Sequence, residues 1–539
     1  MPRVMICDKL EQEGLDYLRQ TGIEVDNRPG LTGEDLKAAL RAADGAIVRS
    51  GTRITADLIE QPGKLRALVR AGVGVDNIDV PAATRKGIVV MNTPGGNTLS
   101  TAEQTLALLF ALVRHTPAAD LSLKQGKWER TKFTGSQLAG KSLGVIGLGR
   151  IGRAVAQRAL AMEMTVIGYD PLLTADRIAQ YGIEPSATID QLLTQCDILT
   201  LHVPLTPETK NLIGAREINL MKKGARIINC ARGGLVSEEA LSIALESGHL
   251  AGAACDVFVQ EPPPKEHPLL KQPNFIGTPH LGASTTEAQR SVSIEAAQLL
   301  SDYLLKGQIQ AAVNTAAIDK AELKELRHYF DMAYRLGQFI GQVQPGGVKR
   351  ITLTYRGEVA KRTTKHLTAA FAVGLLEQRL DEPVNLVNAE LLAQERGIVL
   401  VEQKTIERGD FSTMIKVEAE TDHGTCKAAA TLFGNQYLRL VQYNDYQLEG
   451  YLDGTLLLFS HRDAPGLIGF IGTVFGKYQV NIAQMVVGRT TPGGEAIAVL
   501  QLDTTPPEEA LHEVKSHPHI RSVQLVTLPP AGELPSWLG

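Results

Sequence analysis

The chain has 539 residues, 44% of them hydrophobic and 21% charged, with a formal net charge of −4 and an isoelectric point near 6.3. That length predicts about three or four domains with ample core, and the slightly acidic balance excludes a nucleic-acid scaffold, so no nucleic-acid partner is expected. No apolar run has the length of a membrane span and "MPRVMICDKL" carries no signal-peptide pattern; five scattered cysteines without a C-x-x-C pair predict a reducing cytoplasm, no disulfide framework and no metal site.

Residues 1 to about 95 alternate short apolar runs ("RVMICD", "GAIVRS", "LRALVRAG", "GIVVMN") with helical patterns such as "TGEDLKAALRAA", which predicts an open α/β lobe. A long helical run, "TLSTAEQTLALLFALVRHTPAADLSL", leads out of it. The next stretch, "GSQLAGKSLGVIGLGRIG", holds two overlapping phosphate signatures. "GSQLAGKS" matches a triphosphate loop, but a strand-like run follows its Lys-Ser pair where that loop would open a helix. "GLGRIG" sits correctly, between the strand "SLGVIG" and the helix "RIGRAVAQRALAMEM"; a second strand, "TVIGYD", then ends on Asp170. This is a dinucleotide-binding β-α-β unit, in which Gly147 allows the tight turn, Gly149 lets backbone approach a pyrophosphate, and Gly152 lets helix pack on strand. Asp170 stands where a ribose-binding carboxylate is expected.

The α/β alternation continues, and three strand ends finish on reactive side chains: "RIINCARGG" at Arg232, "ACDVFVQEPP" at Glu261 and "FIGTPHLGAS" at His280. In an open sheet such ends border the ligand crevice. Oxidation of a 2-hydroxy acid needs a base for the hydroxyl proton, a group to orient it, and a cation for the carboxylate. His280, Glu261 and Arg232 are suited to those roles in that order. Cys230 and Cys255 lie in apolar runs and read as buried core thiols. The helix "TTEAQRSVSIEAAQLLSDYLLKG" is placed to return to the first lobe.

Residues 316–450 mix helices with alternating strands and read as an α+β domain without a motif that names a chemistry. Lys349, Arg350 and Arg439 in it read as a solvated face rather than an anion site. From residue 453 to 539 a β-α-β-β-α-β order predicts a ferredoxin-like module suited to sensing a small ligand. His461 and Asp463 follow its first strand and Asn481 begins its second, so all are expected to converge at the N-terminus of its first helix, where backbone amides favour a carboxylate.

The motifs "GLGRIG", "NCARGG", "DVFVQEPP" and "TPHLGAST" resemble those of the D-isomer-specific 2-hydroxyacid dehydrogenases. "RSGTRIT", "RAGVGVDNID", "NTPGGN" and "GKWERTKFTG" narrow the likeness to the long-form branch that acts on D-3-phosphoglycerate. The resemblance implies a two-lobed Rossmann-type α/β dehydrogenase followed by an intervening α+β domain and an ACT domain, an amino-acid-sensing module. Residues 1–97 with 285–315 would form the substrate lobe and 98–284 the NAD-binding domain.

It also implies Arg232, Glu261 and His280 as the catalytic set. NAD contacts would come from Arg150, Ile151, Asp170, Val203, the Cys230-Ala231-Arg232 turn, Asp256 and the His280–Gly282 loop. Val73 replaces a threonine of some relatives, which removes a side-chain hydrogen bond. For the substrate the resemblance implies Arg49 with Ser50, Arg70 and Asn97, with Arg130 reaching across from a neighbouring subunit. Arg49 and Arg70 also close apolar strand runs that face the crevice. The implied function is the first step of L-serine biosynthesis, in a homo-oligomer (dimer or tetramer) with L-serine as effector. Two other readings stay open: a sibling dehydrogenase for glyoxylate, hydroxypyruvate or lactate, and a dinucleotide-gated interaction protein like the co-repressors of this fold.

Overall fold

The computed structural model describes residues 1–533 except 317–319, 345–346, 381–382, 408, 423 and 435–436; the last residues of the predicted 453–539 module, 534–539, lie outside the described residues. The short apolar runs near the N-terminus form parallel strands β1 (Arg3–Ile6), β2 (Glu24–Asn27), β3 (Gly45–Val48), β4 (Ala67–Arg70) and β5 (Val89–Asn92), in the order β2-β1-β3-β4-β5. Their runs are continuous rather than alternating because both faces are covered. Val4, Ile6 and Ile47 face one core, while Met5, Ala46 and Val48 face another. The helix Thr286–Lys306 supplies Val292, Ala296 and Leu300 to the first of these cores.

A second sheet is also all parallel: β6 (Ser142–Ile146), β7 (Thr165–Tyr169), β8 (Glu184–Pro185), β9 (Ile198–Leu201), β10 (Ala225–Asn229), β11 (Leu250–Cys255) and β12 (Phe275–Gly277). Its order, β12-β11-β10-β9-β6-β7-β8, reverses between β6 and β9. At such a switch point the flanking loops diverge and leave a crevice at the strands' carboxyl ends.

The third sheet comprises β13 (Val348–Gly357), β14 (Val399–Thr405), β15 (Thr413–Thr421), β16 (Gly424–Phe433), β17 (Tyr437–Tyr443) and β18 (Tyr446–Tyr451), in the order β14-β13-β15-β16-β17-β18. Leu336 and Phe339 of the helix Lys320–Val343 share a core with Phe371 of the helix Lys365–Leu376 and with Ile351 and Val417 of the sheet. Lys349 and Arg350 on this sheet pair with Asp422 and Glu420, and Arg439 stacks 3.9 Å from the Tyr451 ring.

The fourth sheet has strands β19 (Thr455–Arg462), β20 (Ile482–Arg489), β21 (Glu495–Leu502) and β22 (Ile520–Thr527) in the antiparallel order β20-β21-β19-β22, the ferredoxin-like arrangement. The run "LLLF", Leu456–Phe459 in β19, is apolar at every position because it is buried on both sides. Leu457 and Phe459 pack with Leu467, Ile471 and Phe475 of the helix Leu467–Lys477, while Leu456 and Leu458 join the core of the preceding domain.

Arg335 fastens the two domains. It is 0% exposed, pairs with Asp331 at 2.6 Å, and donates to the carbonyls of Pro529, Pro530 and Glu533 beyond β22.

All five cysteines are free and buried. No single helix among the described residues is long and apolar enough to cross a membrane. One helix pair, Thr98–Val113 with Thr116–Lys124, reaches that length jointly but bends by 62° between them.

Candidate active site

The glycine loop follows β6 as its spacing requires. Gly147 has φ +90°, and a Cβ there would lie 2.5 Å from the His202 carbonyl oxygen. At Gly152 a Cβ would lie 2.0 Å from the Gly147 carbonyl oxygen, whereas at Gly149 it would meet nothing within 4 Å. Gly149 thus opens onto free space at the N-terminus of the helix Arg150–Ala161, where unpaired amides favour a pyrophosphate. Asp170 directly follows β7; its oxygens accept the Leu148 and Leu172 amides, both at 2.9 Å. A carboxylate has about four acceptor sites, so two remain for ribose hydroxyls. This cradle fits an NAD molecule.

Around it, Arg150 lies beside Gly95 and Glu295 of the other lobe, Ile151 packs into the sheet core, and Val203 borders Gly147. Burial pushes the neighbouring His202 imidazole down to about 4 and so keeps it neutral.

The turn after β10 is built by Asn229, which stands outside the residues that the sequence implies for the site. Its side chain, 2% exposed, accepts from the Ala231 amide at 3.0 Å and donates to the Arg232 carbonyl at 2.8 Å. Cys230 is buried and its thiol is pushed up to about 12 by that burial, which leaves only its backbone for a cofactor. Asp256 departs from expectation. It is 1% exposed, and it accepts from the Leu281 and Gly282 amides at 2.8 Å and from the Thr278 hydroxyl. Its hydrogen bonds hold the His280–Gly282 loop, because a buried carboxylate is stable only where nearby donors saturate it. Ser100 and Thr101 hold the same loop by donating to the Gly282 carbonyl at 2.7 and 3.1 Å.

On that loop His280 adopts φ +55°, and its Nδ1 lies 2.8 Å from Glu261 Oε2. Burial alone would raise the Glu261 carboxyl, but the His280 hydrogen bond, the Phe258 amide and the charges of His280 and Arg232 hold it below the usual range. Arg232 projects into the crevice and donates through Nε to Asp76 of the first lobe at 3.0 Å. Asp76 lies inside "RAGVGVDNID", and nothing in its local pattern separates it from a solvated loop acid.

Arg49 and Arg70 extend from the ends of β3 and β4 toward the same crevice. Arg49 donates to the Lys9 carbonyl at 3.1 Å and to the Gln289 side chain. Burial pushes Arg70 down to about 10, with further lowering from the nearby Arg232 and Arg49 charges. Its Nε and the Asn97 side-chain oxygen are buried without hydrogen-bond partners. Clustered cations around an unpartnered Nε–H donor describe a place for an anion. Ser50 and Arg130 are exposed; Arg130 heads the turn Arg130–Phe133 and, among the described residues, hydrogen-bonds none of the crevice groups.

The convergence expected in the C-terminal module does not occur within one chain. Asp463 follows β19 at the end where Arg462 pairs with Glu495, whereas Asn481 precedes β20 at the end where Ile482 pairs with Leu502. The reason is topological: a helix carries the chain back across the sheet, so the second strand starts opposite the end of the first. Asp463 accepts from Arg489 at 3.0 Å and from the Gly493 amide at 3.1 Å. Asn481 donates to Asp503 at 2.7 Å. His461 is 3% exposed, and its Nε2 is buried without a partner.

Residues 106–282 match the NAD-binding domain of the D-isomer specific 2-hydroxyacid dehydrogenases. Residues 325–444 match the D-3-phosphoglycerate dehydrogenase intervening domain, and residues 455–519 the ACT domain. The chain is 43% identical to a D-3-phosphoglycerate dehydrogenase of Methanocaldococcus jannaschii over 98% of its own length and 100% of the relative's. It is 41% identical to one of Bacillus subtilis with the same coverage. An NAD-dependent formate dehydrogenase from Staphylococcus aureus in complex with NAD superposes with a TM-score of 0.52 at 30% identity, over 59% of this chain and 100% of that one. With all three domain matches in order and both whole-length relatives agreeing, the chain belongs to the long-form D-3-phosphoglycerate dehydrogenases of the D-isomer-specific 2-hydroxyacid dehydrogenase family.

Proposed function

We propose that Arg232, Glu261 and His280 carry the chemistry of this chain and that Arg49, Arg70 and Asn97 hold its substrate, with Ser50 beside them. The activity is the NAD-dependent oxidation of D-3-phosphoglycerate to 3-phosphohydroxypyruvate, the first step of L-serine biosynthesis. The sibling-dehydrogenase and co-repressor readings are set aside, since the relatives match over the whole chain.

The observation that carries the assignment is the His280–Glu261 pair at 2.8 Å. Because Nδ1 faces Glu261, Nε2 is the nitrogen left to take the proton from the substrate hydroxyl. The imidazolium that forms is stabilised by the adjacent carboxylate. Arg232 holds the substrate carboxylate beside the reacting carbon, while Arg49 and Arg70 neutralise the phosphate. Bound NAD would supply the hydride acceptor for the carbon bearing the hydroxyl. Gly147, Gly149 and Gly152 would admit its pyrophosphate, and Asp170 would accept from its ribose. Arg150, Ile151, Val203 and the 230–232 turn line the remainder, and Asp256 acts through the loop it holds.

NADH formation with a panel of 2-hydroxy acids tests the assignment. Turnover of D-3-phosphoglycerate far above that of D-glycerate and D-lactate is expected. Equal turnover of the unphosphorylated acids would remove the phosphate role from Arg49 and Arg70.

We infer further that the chain works as a homo-oligomer, a dimer or tetramer. Phe110, Leu121, Leu123 and Trp128 are exposed at 46%, 58%, 58% and 78% along one helix pair and its following loop, an apolar surface suited to a second copy. Arg130 continues that loop. The ACT module supports a small-molecule effector, and L-serine, the pathway's end product, is the effector we propose. Its carboxylate suits the N-terminus of the helix Leu467–Lys477. Asp463 and Asn481 lie at opposite ends of one module, so they can meet one ligand only across two copies. A cytoplasmic setting agrees with five free buried thiols.

A further inference from the structure

Arg232 is held from two sides. Its Nη1 donates to the Ala231 carbonyl at 2.7 Å, and its Nε donates to Asp76 Oδ2 at 3.0 Å. A guanidinium is planar, so engaging both Nε and Nη1 sets the orientation of the whole group and leaves Nη2 as the nitrogen that neither bond engages. Nη2 lies against Gly74, where an added Cβ would stand 1.8 Å from it and 2.8 Å from Asp76 Oδ2. The backbone of Gly74, the carboxylate of Asp76 and the fork of Arg232 therefore occupy one tight corner of the crevice. No side chain fits at residue 74 without displacing the other two. The ion pair also joins the lobes: Asp76 follows β4 of the first sheet and Arg232 follows β10 of the second, 156 positions apart in the chain.

We propose that Asp76 is a positioning residue for the reaction: through Nε it fixes the plane of Arg232 so that Nη2 meets the substrate carboxylate, and it ties the two lobes at that corner. The proposal rests on the assignment of Arg232 to the substrate carboxylate. Asp76 touches neither cofactor nor the reacting carbon in this role. Its side chain is 68% exposed, so it contributes little to the folded core and can be changed without opening a cavity. Its charge also opposes the mutual repulsion of Arg232, Arg49 and Arg70, which keeps the guanidinium groups together before an anion arrives.

Steady-state kinetics of Asp76→Ala, Asp76→Glu and Arg232→Lys, alone and combined, test this. Asp76→Ala is expected to raise KM for D-3-phosphoglycerate by about tenfold, the size of one charge-assisted hydrogen bond, with a smaller fall in kcat and KM for NAD within about twofold. Asp76→Glu should recover part of that loss. In the Arg232→Lys background, where no Nε remains, Asp76→Ala should add nothing further. An unchanged substrate KM in Asp76→Ala, or full additivity with Arg232→Lys, would overturn the proposal. An Arg232→Lys enzyme with unaltered kcat/KM would instead overturn the assignment of Arg232 on which the proposal stands, and the two failures are distinct.

Discussion

His280 Nδ1 lies 2.8 Å from Glu261 Oε2, and the other oxygen of Glu261 accepts the Phe258 amide at 3.1 Å. The His280 ring is thus oriented by a carboxylate that is itself oriented by backbone, so ring and charge are held in register. Such an arrangement lowers the reorganisation needed when the imidazole becomes charged.

His280→Ala should lower kcat by ~10² or more while NAD binding, followed by fluorescence titration, stays nearly intact. Near-normal turnover would exclude His280 as the base.

Glu261→Gln should move the rising limb of the pH–rate profile to lower pH, with some loss of rate. The carboxyl is held below its usual range, so in the wild type it is charged wherever an imidazole titrates, about pH 6.5, and favours the protonated ring. The neutral amide removes that preference. For stability the sign is that of a depressed carboxyl: the pair contributes above about pH 4.3 and its contribution is lost as pH falls below that.

Asp170→Ala should narrow the preference for NAD over NADP, because a carboxylate placed to accept from the ribose would also repel a 2′-phosphate. The ratio of kcat/KM values should fall by about tenfold or more. The Leu148 amide loses its acceptor at the same time, so KM for NAD should rise in parallel.

Arg70→Met should separate stability from function. It removes a buried guanidinium whose Nε lacks a partner and which two other arginines repel. The ligand-free protein should gain about 1 kcal/mol or more, read as a higher Tm, while KM for D-3-phosphoglycerate rises by about tenfold or more. A fall in both Tm and KM would contradict this.

Arg335→Met should release the C-terminal segment from the helix Lys320–Val343. Breaking a buried pair by removing one partner costs about 3–5 kcal/mol, and here Asp331 and the Pro529, Pro530 and Glu533 carbonyls all lose their donor. Amide exchange in β22 should quicken while exchange in β1 to β5 stays as in the wild type.

If serine binds across two copies, calorimetry should show L-serine binding to the wild type and losses in Asp463→Ala and in Asn481→Ala. Mixing the two variants under subunit exchange should restore part of the binding, since one of the two interfacial sites is then intact. Wild type without serine binding, or mixtures no better than the separate variants, would remove this arrangement.

Where function depends on local conformation, the sequence was legible. Glycines spaced as G-x-G-x-x-G between a strand and a helix demand a turn with positive φ, an open approach and a close helix contact, and the backbone around Gly147, Gly149 and Gly152 has those properties. Arg232, Glu261 and His280 follow β10, β11 and β12, and parallel strands present their carboxyl ends on one side, so the strand pattern assigns the following loops to that side. The pairing of Asp76 with Arg232, the enclosure of Arg335 and the separation of Asp463 from Asn481 were decided only by tertiary structure. A charged loop residue has the same local pattern whether it meets water or a partner 156 positions away. Which of these it meets depends on how whole lobes and crossovers bring distant segments together, and that path is set by long-range packing rather than by any neighbour in the chain.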